Sequence, residues 1–298
     1  MLGWRLAVSA GLIPALLLLF WWDAGLGPGS PVLLLFCLTL AIRGAWEMST
    51  LLKTRSIHPS FEAAAACNFL IIVSAWMHAR VPGAPSGFNG LLMSLGLVAA
   101  ALCFSLLLLM LFEALRYRKP GRTLESLGAN LLTVMYTGGL LAVMAQFRWF
   151  PSTATGYFAI GSVIIAAKSG DIMAYTFGRL WGKRKLVPRL SPGKTWMGGV
   201  GALVGSGLGG WLWLTFGGRL FDASPVASNL TCVLAYSATM GVVGLIGDLC
   251  ESLLKRDAEK KDSAALMPGF GGLLDLLDSP LFAGPVALAW WALWPPAI

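Results

Sequence analysis

Residues 81–112 read VPGAPSGFNGLLMSLGLVAAALCFSLLLLMLF, without one Asp, Glu, Lys or Arg between Arg80 and Glu113. A helix needs roughly 17–25 apolar residues to cross the hydrocarbon of a bilayer, and this run exceeds that. Working outward from it, further charge-free runs lie at 6–22, 24–42, 63–79, 126–147, 149–167, 195–218, 223–247 and 279–298, which makes nine in all. Composition explains why such runs are possible. Of 298 residues, 57% are hydrophobic and only 12% charged, with a mean hydropathy of +0.73. An ordinary soluble domain carries about 25% charged residues. So few charges leave the exterior to lipid. The runs lack the alternating pattern of a membrane barrel, and backbone groups in lipid must be satisfied internally. The expected fold class is all-α: a polytopic helical membrane protein with about nine transmembrane helices.

The first run could serve as a signal peptide with Arg5 as its basic region. However, no small-residue cleavage site precedes Trp21-Trp22-Asp23, and a second apolar run follows at once. The pair reads better as a helical hairpin turning at Gly25–Pro31. Orientation follows from the basic residues. With the N-terminus inside, the inner segments carry Arg5, then Arg43, Lys53 and Arg55, then Arg116, Arg118, Lys119 and Arg122. They continue with Arg179, Lys183, Arg184, Lys185, Arg189 and Lys194, and end with Lys255, Arg256, Lys260 and Lys261. The outer segments hold only Arg80, Arg148 and Arg219, and Lys168 sits at a helix end. The N-terminus is therefore expected in the cytoplasm and, after nine crossings, the C-terminus outside. The net charge of +8 collects on the inner face, where it sets topology and attracts anionic headgroups. Arg116–Arg122 is expected to do no more than that. Nucleic acid is not an expected partner, because no soluble domain is available to hold it. The compact chain without a targeting extension points to a bacterial cytoplasmic (inner) membrane. Five scattered cysteines and two distant histidines, His58 and His78, form neither a disulfide framework nor a ligand motif.

Residues 1–160 read as transmembrane bundle with no assigned chemistry. Residues 161–298 differ, since their polar residues gather in three segments, each abutting a span. Gly170-Asp171 through Gly178-Arg179 runs on to Ser191-Pro192-Gly193-Lys194-Thr195-Trp196. There Ser191–Gly193 is a turn signal, and Lys194 and Thr195 fall at a helix start suited to phosphate. A basic residue before a span is also a common topology signal. In the second segment Asp248, Glu251, Ser252 and Lys255 fall at i, i+3, i+4 and i+7, one helical face. A stripe of both signs cannot face lipid, so it faces a partner, a cavity or the cytoplasm. In the third, Met267-Pro268-Gly269-Phe270-Gly271-Gly272 makes a tight loop before Asp275 and Asp278. Those two carboxylates are either helix-dipole charges or oxygen ligands of the kind Mg²⁺ prefers. Together the segments offer hard oxygen ligands, several cations and a glycine loop at one membrane face. That combination suits a metal-bound triphosphate better than an ion pathway.

These residues resemble a known family. Gly247-Asp248, Glu251–Asp257, Lys261-Asp262, Pro268-Gly269, Gly271-Gly272, Asp275 and Asp278-Ser279 look like the signature of the phosphatidate cytidylyltransferases, or CDP-diacylglycerol synthases. Asp171, Ala174-Tyr175, Gly178-Arg179 and Ser191–Trp196 are similar to that family's other stretches, and the match covers roughly residues 165–280. The resemblance implies a cytoplasmic-face enzyme in which a phosphatidic acid oxygen attacks the α-phosphorus of CTP and releases pyrophosphate. It implies Mg²⁺ held by Asp248 and Asp275, with Asp278 as a further ligand or support, and leaves a second cation open. Lys255 and Arg256 would clamp phosphates; Ser191, Lys194 and Thr195 would bind phosphate; Ser252 would hydrogen-bond one, and Asp171 would orient a cation or the cytidine. The expected partners are CTP, phosphatidic acid and the bilayer, with a homodimer left open.

Two positions depart from the family pattern, Phe270 where it has His and Leu276 where it has Arg. That leaves open an inactive relative or an altered lipid preference. The chemistry tolerates the lost His, because a phosphomonoester has a second pKa near 6 and is already largely ionised at neutral pH. Two rivals remain: a related CTP-dependent enzyme acting on an isoprenoid ether phosphate or a polyprenol, and an ion-coupled transporter using Lys168, Asp171 and Asp248.

Overall fold

The computed structural model describes residues 2–297 apart from 28, 55, 56, 119, 153, 154, 222–228 and 267–270; for 2–10, 12 and 13 it describes the backbone alone. Helices dominate: α1 Leu2–Gly25, α2 Pro31–Lys53, α3 Phe61–Met77, α4 Gly87–Arg116, α5 Thr123–Val134, α6 Leu140–Ala145, α7 Gly156–Trp181, α8 Trp196–Phe216, α9 Leu230–Asp257 and α10 Leu273–Leu293. Among the described residues, eight helical segments are long and apolar enough to cross a membrane, α5 and α6 counting as one through a π turn at Met135–Gly139. The first charge-free run falls in α1, of whose side chains those of residues 2–10, 12 and 13 lie outside the described residues.

The helices outlast the runs that announced them. The run 24–42 stops at Arg43, yet α2 continues to Lys53, because Arg43 pairs with Glu47 one turn on at 3.1 Å. Likewise α7 and α9 run on through their charges to Trp181 and Asp257. By backbone contacts the chain forms two compact units: Met1–Gln146 with Asp257–Leu276, and Phe147–Arg256 with Leu277–Ile298. The segment Asp257–Leu276 groups with the first unit, although by sequence it belongs with the second half.

In the first unit α1 and α2 meet in a turn centred on Gly27, whose φ of 86° lies in the left-handed region that glycine tolerates. Buried Asp23 closes that turn by accepting from the Leu33 amide at 2.8 Å, while Ser30 caps α2 ahead of Pro31. Asn68, on α3, donates to the carbonyl of Ala41 on α2 and to Thr137 in the π turn, at 3.0 and 2.7 Å.

In the second unit α7 and α8 pack backbone to backbone. A Cβ on Gly201 or Gly205 would collide with the carbonyl of Met173 or Ser169 on α7. Small residues permit such approach in membranes, where apolar area alone drives no association. Between these helices lies an antiparallel hairpin, β1 Lys185–Val187 and β2 Ser191–Thr195. This corrects the reading of Ser191-Pro192-Gly193 as the turn. The turn is Val187–Leu190, closed by the Leu190 amide on the Val187 carbonyl at 3.2 Å. Pro188 stands at its second position, where a fixed φ favours a turn. Lys194 therefore sits on a strand rather than in a helix. Thr195 is the N-cap of α8, its hydroxyl accepting from the Gly198 amide at 3.1 Å.

Candidate active site

The polar residues of the second unit converge from four elements. From α9, Asp248, Glu251, Ser252 and Lys255 project along one face, as their spacing requires. Glu251, Ser252 and Lys255 are buried, Lys255 pairs with Glu251, and Ser252 donates to Asp248 at 3.4 Å. From β2, the Lys194 ammonium pairs with Asp248 at 2.9 Å. From α10 comes buried Asp278, and from α7 comes Lys168, lying 3.0 Å from Asp171 and 3.5 Å from Asp278. Ser279 donates to Asp171 at 3.0 Å, which ties α7 to α10. Arg256 reaches the hairpin, its Nε donating to the Leu190 carbonyl at 3.4 Å.

Helix contact makes this convergence possible. Gly247 sets α9 against α10: a Cβ there would stand 2.6 Å from the Asp278 carbonyl and 2.9 Å from the Phe282 Cβ. The residue after that glycine, Asp248, thereby comes beside Asp278. Asp248, Glu251 and Asp278 each offer a carboxylate oxygen within 4.8 Å of the others, a set that could hold a metal ion. Their oxygens are hard ligands, and two of the three are buried, which suits a divalent cation such as Mg²⁺. Four carboxylates and three ammonium groups make up the cluster, so it carries one net negative charge, which a bound cation would offset.

The structure brings Asp171, Lys194, Asp248, Ser252, Lys255 and Asp278 into this one neighbourhood. Asp275 lies in the first unit and is engaged there. Its Oδ2 accepts from the Ser263 amide, the Ser263 hydroxyl and the Gly272 amide, each at 2.8 Å. Gly271, at φ 89°, leaves room for that carboxylate. Met267, Pro268, Gly269 and Phe270 lie outside the described residues.

Sequence reasoning set Glu251 on the polar stripe without giving it a role, and missed Glu47 altogether. Glu47 is fully buried in α2 and accepts from the amides of Leu273 and Leu274 and from the Ser263 hydroxyl, at 3.0–3.1 Å. It thus caps the start of α10 from another helix, where free amides and the dipole favour an anion. The signal was present, since an acid inside an apolar span is costly and marks a role.

Fold and site together define an integral membrane protein whose second unit assembles carboxylates and lysines suited to a metal and phosphates. The chain belongs to the Cytidylyltransferase family, whose family model matches residues 4–294. It is 28% identical over 249 residues to a phosphatidate cytidylyltransferase of Haemophilus influenzae, covering 83% of this chain and 85% of that one. To the protein of the same name from Chlamydia pneumoniae it is 29% identical over 251 residues, 82% of this chain and 77% of the other. To that from Mycobacterium leprae it is 39% identical over 149 residues, 50% and 44% of the two chains.

Proposed function

We propose that this protein is a phosphatidate cytidylyltransferase of a bacterial cytoplasmic membrane, transferring CMP from CTP to phosphatidic acid. An oxygen of the lipid phosphomonoester forms a bond to the α-phosphorus of CTP. The bond from that phosphorus to the β-phosphate oxygen breaks, and pyrophosphate leaves with its electron pair. The attacking oxygen is already ionised at neutral pH, so no side chain need take a proton. That is why a Phe at position 270 is compatible with turnover.

Asp248, Asp278 and Glu251 would hold Mg²⁺, which when bound neutralises phosphate charge in the manner of phosphoryl-transfer enzymes. The chain's own cations do the rest. Lys194 pairs with Asp248 and orients that carboxylate while presenting charge to a phosphate. Lys255 plays the same part against Glu251, and Arg256 extends the cationic wall towards the hairpin. Ser191 and the hydroxyl hydrogen of Thr195, whose oxygen is taken by the cap, serve as donors. Asp171, held by Lys168 and Ser279, supports Asp278. We assign Asp275 to anchoring the glycine-bearing segment and the first turn of α10, in place of the direct metal role suggested by sequence. The site would face the cytoplasm, where CTP is found, while the diacyl chains stay in the leaflet.

What carries this reading is similarity over more than four-fifths of the chain to two proteins of that name, in a chain whose acids gather around Lys194 and Lys255. The test uses purified protein, CTP labelled at the α-phosphate, Mg²⁺ and phosphatidic acid. Mg²⁺-dependent label in the lipid fraction, with pyrophosphate released in equal amount, is expected. Label passing only to an isoprenoid phosphate or a polyprenol would overturn the substrate. Proton or ion flux in vesicles without any labelled lipid would overturn the reaction.

A further inference from the structure

The first unit holds a cavity of about 490 Å³ between the α2–α3 and α4–α5 connections, lined by His58, Glu113, Arg116, Arg118, Arg122 and Glu125 among others. Both connections follow an even-numbered helix, so they share one side of the membrane. The cavity wall is pinned by hydrogen bonds. Glu113 accepts from Ser126 at 2.7 Å and from Asn130 at 3.3 Å, and Asn130 accepts from the Ser60 amide at 2.9 Å. Three guanidinium groups against two carboxylates leave one excess positive charge, the complement of a phosphodiester monoanion. Arginine is also the side chain best shaped to grip phosphate oxygens in pairs.

The surroundings indicate that the phosphate belongs to a lipid. Leu115 and Leu124, beside the cavity, are 78% and 82% exposed. Leu115 is on α4, which also exposes Leu107, Met110 and Leu111, and Leu124 is on α5. At 30 residues α4 is about 45 Å long, against a hydrocarbon core of about 30 Å, so its last turns reach the headgroup layer. The arginines therefore stand at headgroup depth, next to apolar surface along which the chains of the same lipid can lie. We propose that this cavity binds the phosphodiester headgroup of an anionic phospholipid, whose acyl chains lie along the exposed leucines of α4. The site stands apart from the residues assigned to nucleotidyl transfer and does not depend on that reading.

The full chain in detergent, titrated with phosphatidylglycerol and watched by native mass spectrometry, tests this. Phosphatidylglycerol is a diester and offers no phosphomonoester for transfer. Replacing two phosphate-binding arginines, Arg118→Gln with Arg122→Gln, should weaken its binding about tenfold or more, with phosphatidylcholine unaffected. A control that removes two charges in the second unit, Lys183→Gln with Lys185→Gln, should change binding less than twofold, on the order of measurement scatter. In the wild-type protein, phosphatidylglycerol should shield Arg118 and Arg122 from phenylglyoxal, which requires no variant to fold. Equal weakening in the control would show diffuse surface charge and overturn the site. Full displacement by sn-glycerol 3-phosphate at matched concentration would show a soluble phosphate ligand and overturn the lipid. Unchanged phenylglyoxal labelling would overturn both.

Discussion

Asp275 accepts three hydrogen bonds on one oxygen, from a loop serine and a glycine amide, and Asp278, one turn further along α10, keeps company with Lys168 and Ser279. Equal in chemistry, the two carboxylates have different neighbours, and so different consequences when their charge is removed. In Asp275→Asn the charge that strengthens three bonds is lost, at a cost of about 1–3 kcal/mol; a lower melting temperature is expected, with Mn²⁺ affinity retained. In Asp248→Asn and Asp278→Asn the melting temperature should hold, while Mn²⁺ binding by electron paramagnetic resonance weakens and CMP transfer falls about 10²-fold or more. Lost Mn²⁺ binding in Asp275→Asn at an unchanged melting temperature would return that residue to the metal. Glu47 belongs with Asp275 in this comparison. Its four partners are all within the first unit, and Glu47→Gln, which leaves buried amides facing a neutral group, is expected to destabilise without altering metal affinity.

At the level of elements, the contact of α9 with α10 turns on two glycines one turn apart. A Cβ on Gly247 would press the Asp278 carbonyl, whereas one on Gly244 would meet the Ser279 Cβ at an ordinary 3.4 Å. Gly247→Ala should therefore cost about 1–3 kcal/mol through overpacking and shift Asp248 away from Asp278, with transfer lost. Gly244→Ala should be close to neutral in both melting temperature and transfer rate. If the two variants behave alike, the close approach at Gly247 is not what sets the acids side by side. This contact also shows what the sequence can and cannot disclose. Charge-free runs locate spans, because lipid excludes unpaired charge. They mark helix ends wrongly wherever a helix carries its charges into a partnered site, as α2 does through Arg43–Glu47 and α9 through Glu251–Lys255. Spacing alone puts Asp248, Glu251, Ser252 and Lys255 on one face, since periodicity is local. Which acid on α10 that face meets depends on the packing of distant segments, and Asp275 and Asp278 look alike until Ser263 and Glu47 are in view. The Val187–Leu190 turn was legible from Pro188, but the Ser-Pro-Gly next to it is an equally good turn signal and masked it.

For the molecule as a whole, the basic residues make a statement about sidedness that the helices can be asked to honour. Eight described segments meet the length and hydropathy of a span, and α1 adds a helix of 24 residues carrying the first charge-free run. If all nine cross, the even connections share one side with the N-terminus. These hold eighteen of the 22 Lys and Arg residues, against three on the other side. Translocating basic loops is opposed by the machinery and the membrane potential, which is the origin of that bias. It would place Lys194, Lys255 and Arg256 where a soluble nucleotide can reach them. A green fluorescent protein fused at the N-terminus should fluoresce, and one fused at the C-terminus should stay dark; alkaline phosphatase at the C-terminus should be active. Dark fusions at both ends would mean that α1 lies along the surface or returns, leaving eight crossings with both termini outside. The even connections, and with them the Lys194 hairpin, would then still face the cytoplasm, because the charges and not the count of helices hold them there. Fluorescence at the C-terminus, with or without fluorescence at the N-terminus, would put the α7–α8 hairpin outside and place the acidic cluster on the side without CTP. That outcome would remove the proposed reaction even if every carboxylate were correctly assigned.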